Sequence, residues 1–276
     1  MERCLLNYYV LNNELRDSCE FNPGLFEETP SVYEVIRVEE GIPLFLHDHI
    51  TRFYNSLNLA GITCNLTEKQ IKNSIKALIE TNSMQVGLVK FVFAIHPDSG
   101  SLFAAWVTPF LFPSEHTHKT GIKMVSYQGS RQNPNAKISH QAVRQQADKL
   151  IKQNNVYEVL LLNEEGIITE GSRSNLFFVK DGILFTAHPS FILNGVTRQK
   201  IINLALESGI DVFESAFKLN EIGGFEATFI TGTTPKVLSV NTIDATVYKV
   251  QHPVVQHLTL KYNRLIADYI KNFSWE

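Results

Sequence analysis

Two apolar runs separated by a single Asp-Gly pair constrain the fold of this chain more than any other feature. In Asn175-Leu-Phe-Phe-Val-Lys-Asp-Gly-Ile-Leu-Phe-Thr-Ala187, β-branched and aromatic residues flank Asp181-Gly182 on both sides. Asp-Gly suits the left-handed positions of a type I′ turn, so the stretch predicts a tight antiparallel hairpin. A sheet must form in the second half of the chain, and its surroundings decide the fold class.

Those surroundings alternate between strand and helix periods. Val32–Val38 is dense in β-branched residues and leads through Glu39-Glu-Gly41 into Pro43–Leu46, which predicts a hairpin. From Asp48, read as an N-cap, Ile50, Phe53, Tyr54 and Leu57 recur at helical spacing. A second helix over Leu66–Ile79 opens with Thr67 and Gln70, a capping box. Strands are predicted over Val86–Ile95 and Ser101–Val107, joined by a turn at His96-Pro-Asp-Ser-Gly100. After residue 120 the pattern predicts a strand over Ile122–Tyr127 and a helix over Ser139–Gln153, capped by Ser139. Val143, Ala147, Leu150 and Ile151 form that helix's apolar face. Further strands are expected near 156–162, 174–186, 210–214 and 226–231, with helices from about Arg198, near 235–240 and at the C-terminus. The class is α/β in the α+β sense.

At 276 residues the chain is long enough for two moderate domains. The segment Pro109–Lys119 carries two prolines and then polar residues, so it reads as a linker. The expected division is a small domain over 1–112, a linker over 113–120 and a larger domain over 121–276.

Twenty-five basic and 28 acidic residues are dispersed without blocks, which predicts neither a nucleic-acid partner nor an anionic-membrane partner. Apolar runs such as Val156–Leu162 fall far short of the ~20 residues that span a bilayer. The N-terminus lacks the pattern of a signal peptide, so a cytoplasmic protein is expected. Cys4, Cys19 and Cys64 are widely spaced with no His at ligand spacing, which predicts reduced thiols and no metal site.

Two places suit an anion. In Leu193-Asn-Gly-Val-Thr-Arg198, Gly195 permits a tight turn and Thr197 is read as the N-cap of the helix after it. In Thr231-Gly-Thr-Thr-Pro235, Gly232 allows close backbone approach and Pro235 suits a first helical turn. Arg52 lies off the Ile50, Phe53 and Leu57 face and beside His49, which either orients it or is a surface histidine. Lys137 precedes a helix start, where the protonated amine is disfavoured; it is either an amine nucleophile or a solvated loop lysine. Tyr33, Val35 and Arg37 share one strand face, which lines a cleft or meets solvent.

Taken in order, "YEVIRV…HDHITRF", the lysine before a helix, "LLLNEEGIITEGSRSNLFFVKDGILFTA" and "LNGVTRQKIINLA" followed by "FITGTTPKVLSV" resemble the fold-type IV, or class IV, pyridoxal-phosphate aminotransferases. That group includes branched-chain and D-amino acid aminotransferases and aminodeoxychorismate lyases. The resemblance spans about Tyr33 to Asp244 and is strongest from Glu158 to Pro235. It implies a small N-terminal α/β domain, a larger barrel-like C-terminal domain, pyridoxal 5′-phosphate between them, and a homodimer.

It also implies residue roles. Lys137 would condense with the cofactor aldehyde and shuttle the substrate proton. Glu170 would keep the pyridine nitrogen protonated. Arg52 would pair with the phosphate, joined by the N–H groups of Val196 and Thr197 and by Thr233. Thr234 would face the substrate carboxylate, and Tyr33 and Arg37 fall at substrate-side positions. Arg173 would bind either a substrate carboxylate or a neighbouring acid.

The sequence departs from the subgroups in two places. No tyrosine comes soon after Lys137, where branched-chain enzymes place one, and His140-Gln141 stands where the lyases tend to carry Asn-Arg. The approach "FNPGLFEETPSVYE" replaces the usual glycine-acidic-glycine run. The expected activity is amino-group transfer between an amino acid and a 2-oxo acid. Elimination of pyruvate from aminodeoxychorismate is the alternative, and a non-catalytic cofactor-binding member a third reading.

Overall fold

The computed structural model describes residues 3–27, 31–96, 100–131, 134–138 and 141–275. The cap predicted at Ser139, the pair begun by His140, the centre of the turn at 97–99 and residues 28–30 of the approach segment lie outside the described residues. Two compact units emerge: Met1–Leu111 with Ala136–Ser139 and Ile266–Glu276, and Phe112–Asn135 with His140–Leu265.

The first unit contains β1 (Tyr8–Leu11), β2 (Glu14–Asp17), a short α1 (Gly24–Glu27), β3 (Ser31–Glu39), β4 (Ile42–Pro43), α2 (Leu46–Leu59), α3 (Glu68–Thr81), β5 (Gly87–His96) and β6 (Gly100–Thr108). They form a six-stranded antiparallel sheet in the order β2-β1-β6-β5-β3-β4. The alternation predicted for β3 is present: Val32, Ile36 and Val38 are buried, whereas Tyr33, Val35 and Arg37 on the other face are half-buried. Glu40 and Gly41 take φ of 53° and 75°, the double left-handed turn that a hairpin's twist favours. Val32, Ile36, Ile50, Phe53, Leu57, Ile71, Ile75 and Leu78 make one core between the sheet and the two long helices.

Helix α2 begins two residues before the predicted cap. Phe45, left-handed at φ 53° and ψ 40°, ends the preceding turn, and Asp48 lies inside the first turn, where its charge complements the helix dipole. The capping box on α3 is present: Thr67 Oγ1 accepts from the Gln70 N–H, and Gln70 Oε1 accepts from the Thr67 N–H at 2.9 Å.

The second unit contains α4 (Glu115–Thr120), β7 (Ile122–Gln128), α5 (Gln141–Asn154), β8 (Glu158–Leu162), β9 (Ile168–Gly171), β10 (Asn175–Lys180), β11 (Ile183–Ala187), α6 (Val196–Glu207), β12 (Val212–Ser215), β13 (Ala227–Gly232), β14 (Lys236–Ile243) and β15 (Thr246–Val247). The last helix, α7 (Pro253–Asn272), has residues in both groupings. The segment read as a linker therefore contains a short helix, capped by Ser114, which accepts from the Thr117 N–H at 3.1 Å.

Nine strands form a mixed sheet in the order β12-β11-β10-β13-β14-β7-β8-β9, with β15 added on β14. Strand β9 also lies beside β10 and β11, so the sheet curls into a half-barrel. Asp181 and Gly182, at φ 52° and 78°, make the I′ turn that the Asp-Gly motif predicts. Val143, Leu150 and Ile151 pack with Ala147 against Val159 and Leu161, as the helical spacing requires.

Two expectations are corrected here. Residues 236–243 form a strand, not a helix. Thr233-Thr234-Pro235 is a three-residue hairpin loop, and β13 pairs with β14 from Thr228↔Val240 to Gly232↔Lys236. Val237, Leu238 and Val240 are core residues of that ladder, and cross-strand pairing outweighs the cap-like look of "GTTP". At α6 the N-cap is Gly195, at φ −65° and ψ 138°, and Thr197 sits inside the first turn.

Candidate active site

In the first unit, Lys137 belongs to a short segment laid along the start of β3, with a bridge between Val32 and Ile138. Its N–H donates to Ser56 Oγ at 3.1 Å, and its carbonyl accepts from the Tyr33 N–H at 3.1 Å. The amine lies 5.0 Å from the centre of the Tyr33 ring. On that ring's sheet face, Lys90 Nζ sits 4.9 Å from Tyr33 and 5.4 Å from Trp106. Arg37 pairs with Glu39 at 2.5 Å.

On the opposite face of β3 lies a buried charge cluster. Glu34 points into the core with no exposed surface and is held by Arg52, whose Nε and Nη2 each donate at 2.7 Å. His49 Nδ1 lies 2.8 Å from Glu34 Oε2, so His49 is a buried orienting group and not a surface histidine. Burial alone would raise the Glu34 carboxyl; the Arg52 charge and hydrogen bonds, with His49 behind them, hold it well below the carboxylate range. Burial pushes His49 down despite Glu34, so the imidazole is neutral and donates from Nδ1. Helical spacing sends Arg52 outward, but Glu34 turns it onto β3. Among the described residues Arg52 Nη1 has no hydrogen-bond partner. The signal for Glu34 was present in the sequence: a carboxylate on the apolar face of an alternating strand requires a buried cation.

In the second unit, strand and helix ends converge on Glu170, which is buried at the end of β9. Its Oε1 pairs with Arg131. Oε2 accepts from the Leu193 N–H at 3.2 Å and from Asn175 Nδ2 at 3.5 Å. Asn175 Nδ2 also donates to the Leu193 carbonyl at 2.8 Å, tying β10 to the approach to α6. A Cβ on Gly195 would clash with Asn175 Oδ1, so any larger residue there would have to displace the Asn175 side chain. Glu158, buried and pushed up by burial first of all, accepts from the Arg173 N–H at 2.5 Å. A Cβ on Gly171 would meet Glu158 Oε1 at 2.5 Å. The Arg173 side chain pairs with Asp148 on α5, which is the neighbouring acid of its two alternatives.

Val196 and Thr197 are buried in the first turn of α6. Thr197 Oγ1 accepts from the Tyr262 hydroxyl at 3.4 Å. Thr233 and Thr234 lie half-buried in the β13–β14 loop. Arg131 and Asn175 left no local sequence signal, since each meets Glu170 only through the fold, from 39 and 5 residues away.

The second unit fits a phosphorylated cofactor. Among the described residues, no side chain caps the N–H groups that open α6, a helix of 12 residues. Among the described residues, the buried hydroxyls Thr231 Oγ1 and Ser172 Oγ have no hydrogen-bond partner. Asn175 and Thr231 are register partners across β10 and β13, so Thr231 lies beside the residue whose Nδ2 reaches Glu170.

Comparison with known proteins agrees. The Amino-transferase class IV family model matches residues 31–243. The chain is 30% identical over 227 residues to the D-alanine aminotransferase of Bacillus licheniformis, covering 77% of this chain and 78% of that one. It is 24% identical over 243 residues to the branched-chain-amino-acid aminotransferase of Pseudomonas aeruginosa, covering 77% and 76%. In fold it is similar to the branched-chain amino acid aminotransferase of Escherichia coli, at a TM-score of 0.83 and 20% identity over 95% of this chain and 94% of that one. The chain belongs to the class IV aminotransferase family. It is a pyridoxal-phosphate-dependent enzyme of that class.

Proposed function

We propose that this enzyme moves an amino group between an amino acid and a 2-oxo acid, with Lys137 carrying the proton and Glu170 maintaining the cofactor's charge. The observation that carries this reading is the fixed carboxylate of Glu170, buried and held by Arg131, Leu193 and Asn175. When bound, the cofactor supplies an electron sink for the carbanion left at the substrate α-carbon.

The chain's residues do the rest. Lys137 Nζ takes the proton from the α-carbon and returns it to the accepting carbon. Glu170 keeps a proton on the pyridine nitrogen by its negative charge, and Arg131 orients it. Arg52 Nη1, the N–H groups of Val196 and Thr197, and Thr233 hold the phosphate. Thr234 receives the substrate carboxylate. Tyr33, Arg37 and Arg173 border the substrate, with Arg173 acting once it exchanges its exposed partner Asp148.

A homodimer in the cytoplasm is part of this proposal. Among the described residues, no helix is long and apolar enough to cross a membrane.

A panel of D- and L-amino donors, begun with D-alanine and the branched-chain L-amino acids, tests the reading through loss of the bound cofactor's visible absorbance. Lys137→Ala should abolish the response; turnover that survives it would remove Lys137 from the mechanism. Stoichiometric pyruvate from aminodeoxychorismate without an amino acceptor would assign the chain to the lyases instead.

A further inference from the structure

We propose that Ser56 is a positioning residue for Lys137: its hydroxyl closes a circuit of bonds that fixes the lysine's main chain against Arg52, Glu34 and Tyr33. The inference rests on the reading of Lys137 as the proton carrier.

A hydroxyl has one proton to give and two lone pairs to offer. Ser56 gives its proton to the Arg52 carbonyl, one turn back on α2, at 2.9 Å. With the donor committed, Oγ can serve a second group only as an acceptor, and the Lys137 N–H fills that role at 3.1 Å. Ser56 has no exposed surface, so water does not replace either bond.

The circuit then returns by a different route. The Lys137 carbonyl accepts from the Tyr33 N–H at 3.1 Å. Tyr33 is joined covalently to Glu34, whose two oxygens take Arg52 Nε and Nη2 at 2.7 Å each. Arg52's own carbonyl leads back to Ser56. Every member lies in the first unit.

The lysine is thus held on both sides of its Cα, by a helix on one and a strand on the other. Its amine leaves that fixed origin to reach the Tyr33 ring at 5.0 Å. A purely structural serine would be satisfied by the helix carbonyl alone. Here a second bond goes to the main chain of the residue that carries the chemistry. Misplacing a reacting group by about 1 Å costs up to about 100-fold in rate, so loosening this anchor should fall on the chemical step.

The test compares the wild type with Ser56→Ala, the hydroxyl-restoring Ser56→Thr, and Ser74→Ala. Ser74 is another buried serine, bonded to Asn13 at 3.1 Å and remote from the circuit. Hydrogen exchange of the Lys137 amide, read in protein without cofactor, should be protected in the wild type. Protection should drop about 10-fold or more in Ser56→Ala while the β5 amides keep theirs. In the loaded enzyme kcat should fall about 10-fold with KM changed less than about twofold, and Ser56→Thr should recover most of it. Ser74→Ala should leave both readings at wild-type values.

An unprotected Lys137 amide in the wild type would overturn the proposal whether or not any variant folds. So would unchanged protection in Ser56→Ala, an equal kcat loss in Ser74→Ala, or a rise in KM at constant kcat. If the wild type turns over no amino donor, the functional reading fails, and the exchange measurement still decides the circuit.

Discussion

Glu34 has no exposed surface, and an ionised carboxylate in such a place costs several kcal/mol unless a cation stands beside it. Arg52 supplies that cation through two bonds at 2.7 Å. Removing one partner leaves the other charge buried and alone, so Glu34→Ala should cost about 3–5 kcal/mol in chemical denaturation. Glu34→Gln, which keeps the shape, should cost less. The pH dependence comes from the same geometry. Glu34 is held below its ordinary range, so its stabilisation is present above the unfolded value of about 4.3 and is lost as pH falls below it. His49 is also held down, so the unfolded chain binds its proton first and stability declines as pH falls below about 6.5. Acid titrations of stability should show both limbs in the wild type, and Glu34→Gln should lack the lower one; an unchanged lower limb would contradict the pairing. Gly195 matters through space, not charge. Alanine there would press a methyl against Asn175 Oδ1, so Gly195→Ala should lose about 1–3 kcal/mol and weaken cofactor binding, read by thermal melting and by titration with pyridoxal phosphate.

Whole elements were legible where one local period accounts for them. Helix α3 has an apolar stripe of Ile71, Ile75 and Leu78 and a capping box at Thr67 and Gln70, and both were visible in the sequence because both act over a few residues. Thr67→Ala should therefore cost about 1 kcal/mol, measured by denaturant midpoint, with little effect on turnover, since α3 carries none of the proposed site residues. The hairpin at Asp181-Gly182 was legible for the same reason. Strand β14 was not. Its residues pair with β13 on one side and β7 on the other, and neither partner's position is written in the local sequence. Thr233-Thr234-Pro235 resembles a helix start because threonine and proline favour caps and tight turns alike. The turn forms, and the ladder beyond it makes the next element a strand. Helix α2 shows a smaller shift of the same kind: the left-handed turn at Phe45 moves the start two residues ahead of Asp48.

Across the molecule, ordered motifs point to Lys137, Glu170 and the α6 turn as the proposed site, but not to the groups that hold them. Arg131 reaches Glu170 from 39 residues away, and Ser56 reaches Lys137 from 81 residues away. Such pairs are products of the fold and leave no periodic trace. Because the α6 start is uncapped and the hydroxyls of Thr231 and Ser172 have no partner among the described residues, cofactor binding should stabilise the folded chain as a whole. Pyridoxal phosphate at about 100 times its Kd adds about 2.7 kcal/mol by mass action. For a chain of this size that corresponds to a rise of roughly 5 °C in apparent Tm. Pyridoxal without its phosphate should give a much smaller rise, because the helix N-terminus then meets no anion. Lys137→Ala should retain the phosphate-dependent part and lose the remainder, which separates the anion cradle from the amine. An equal shift with and without the phosphate would refute the cradle, and no shift with either would refute the cofactor site in this chain.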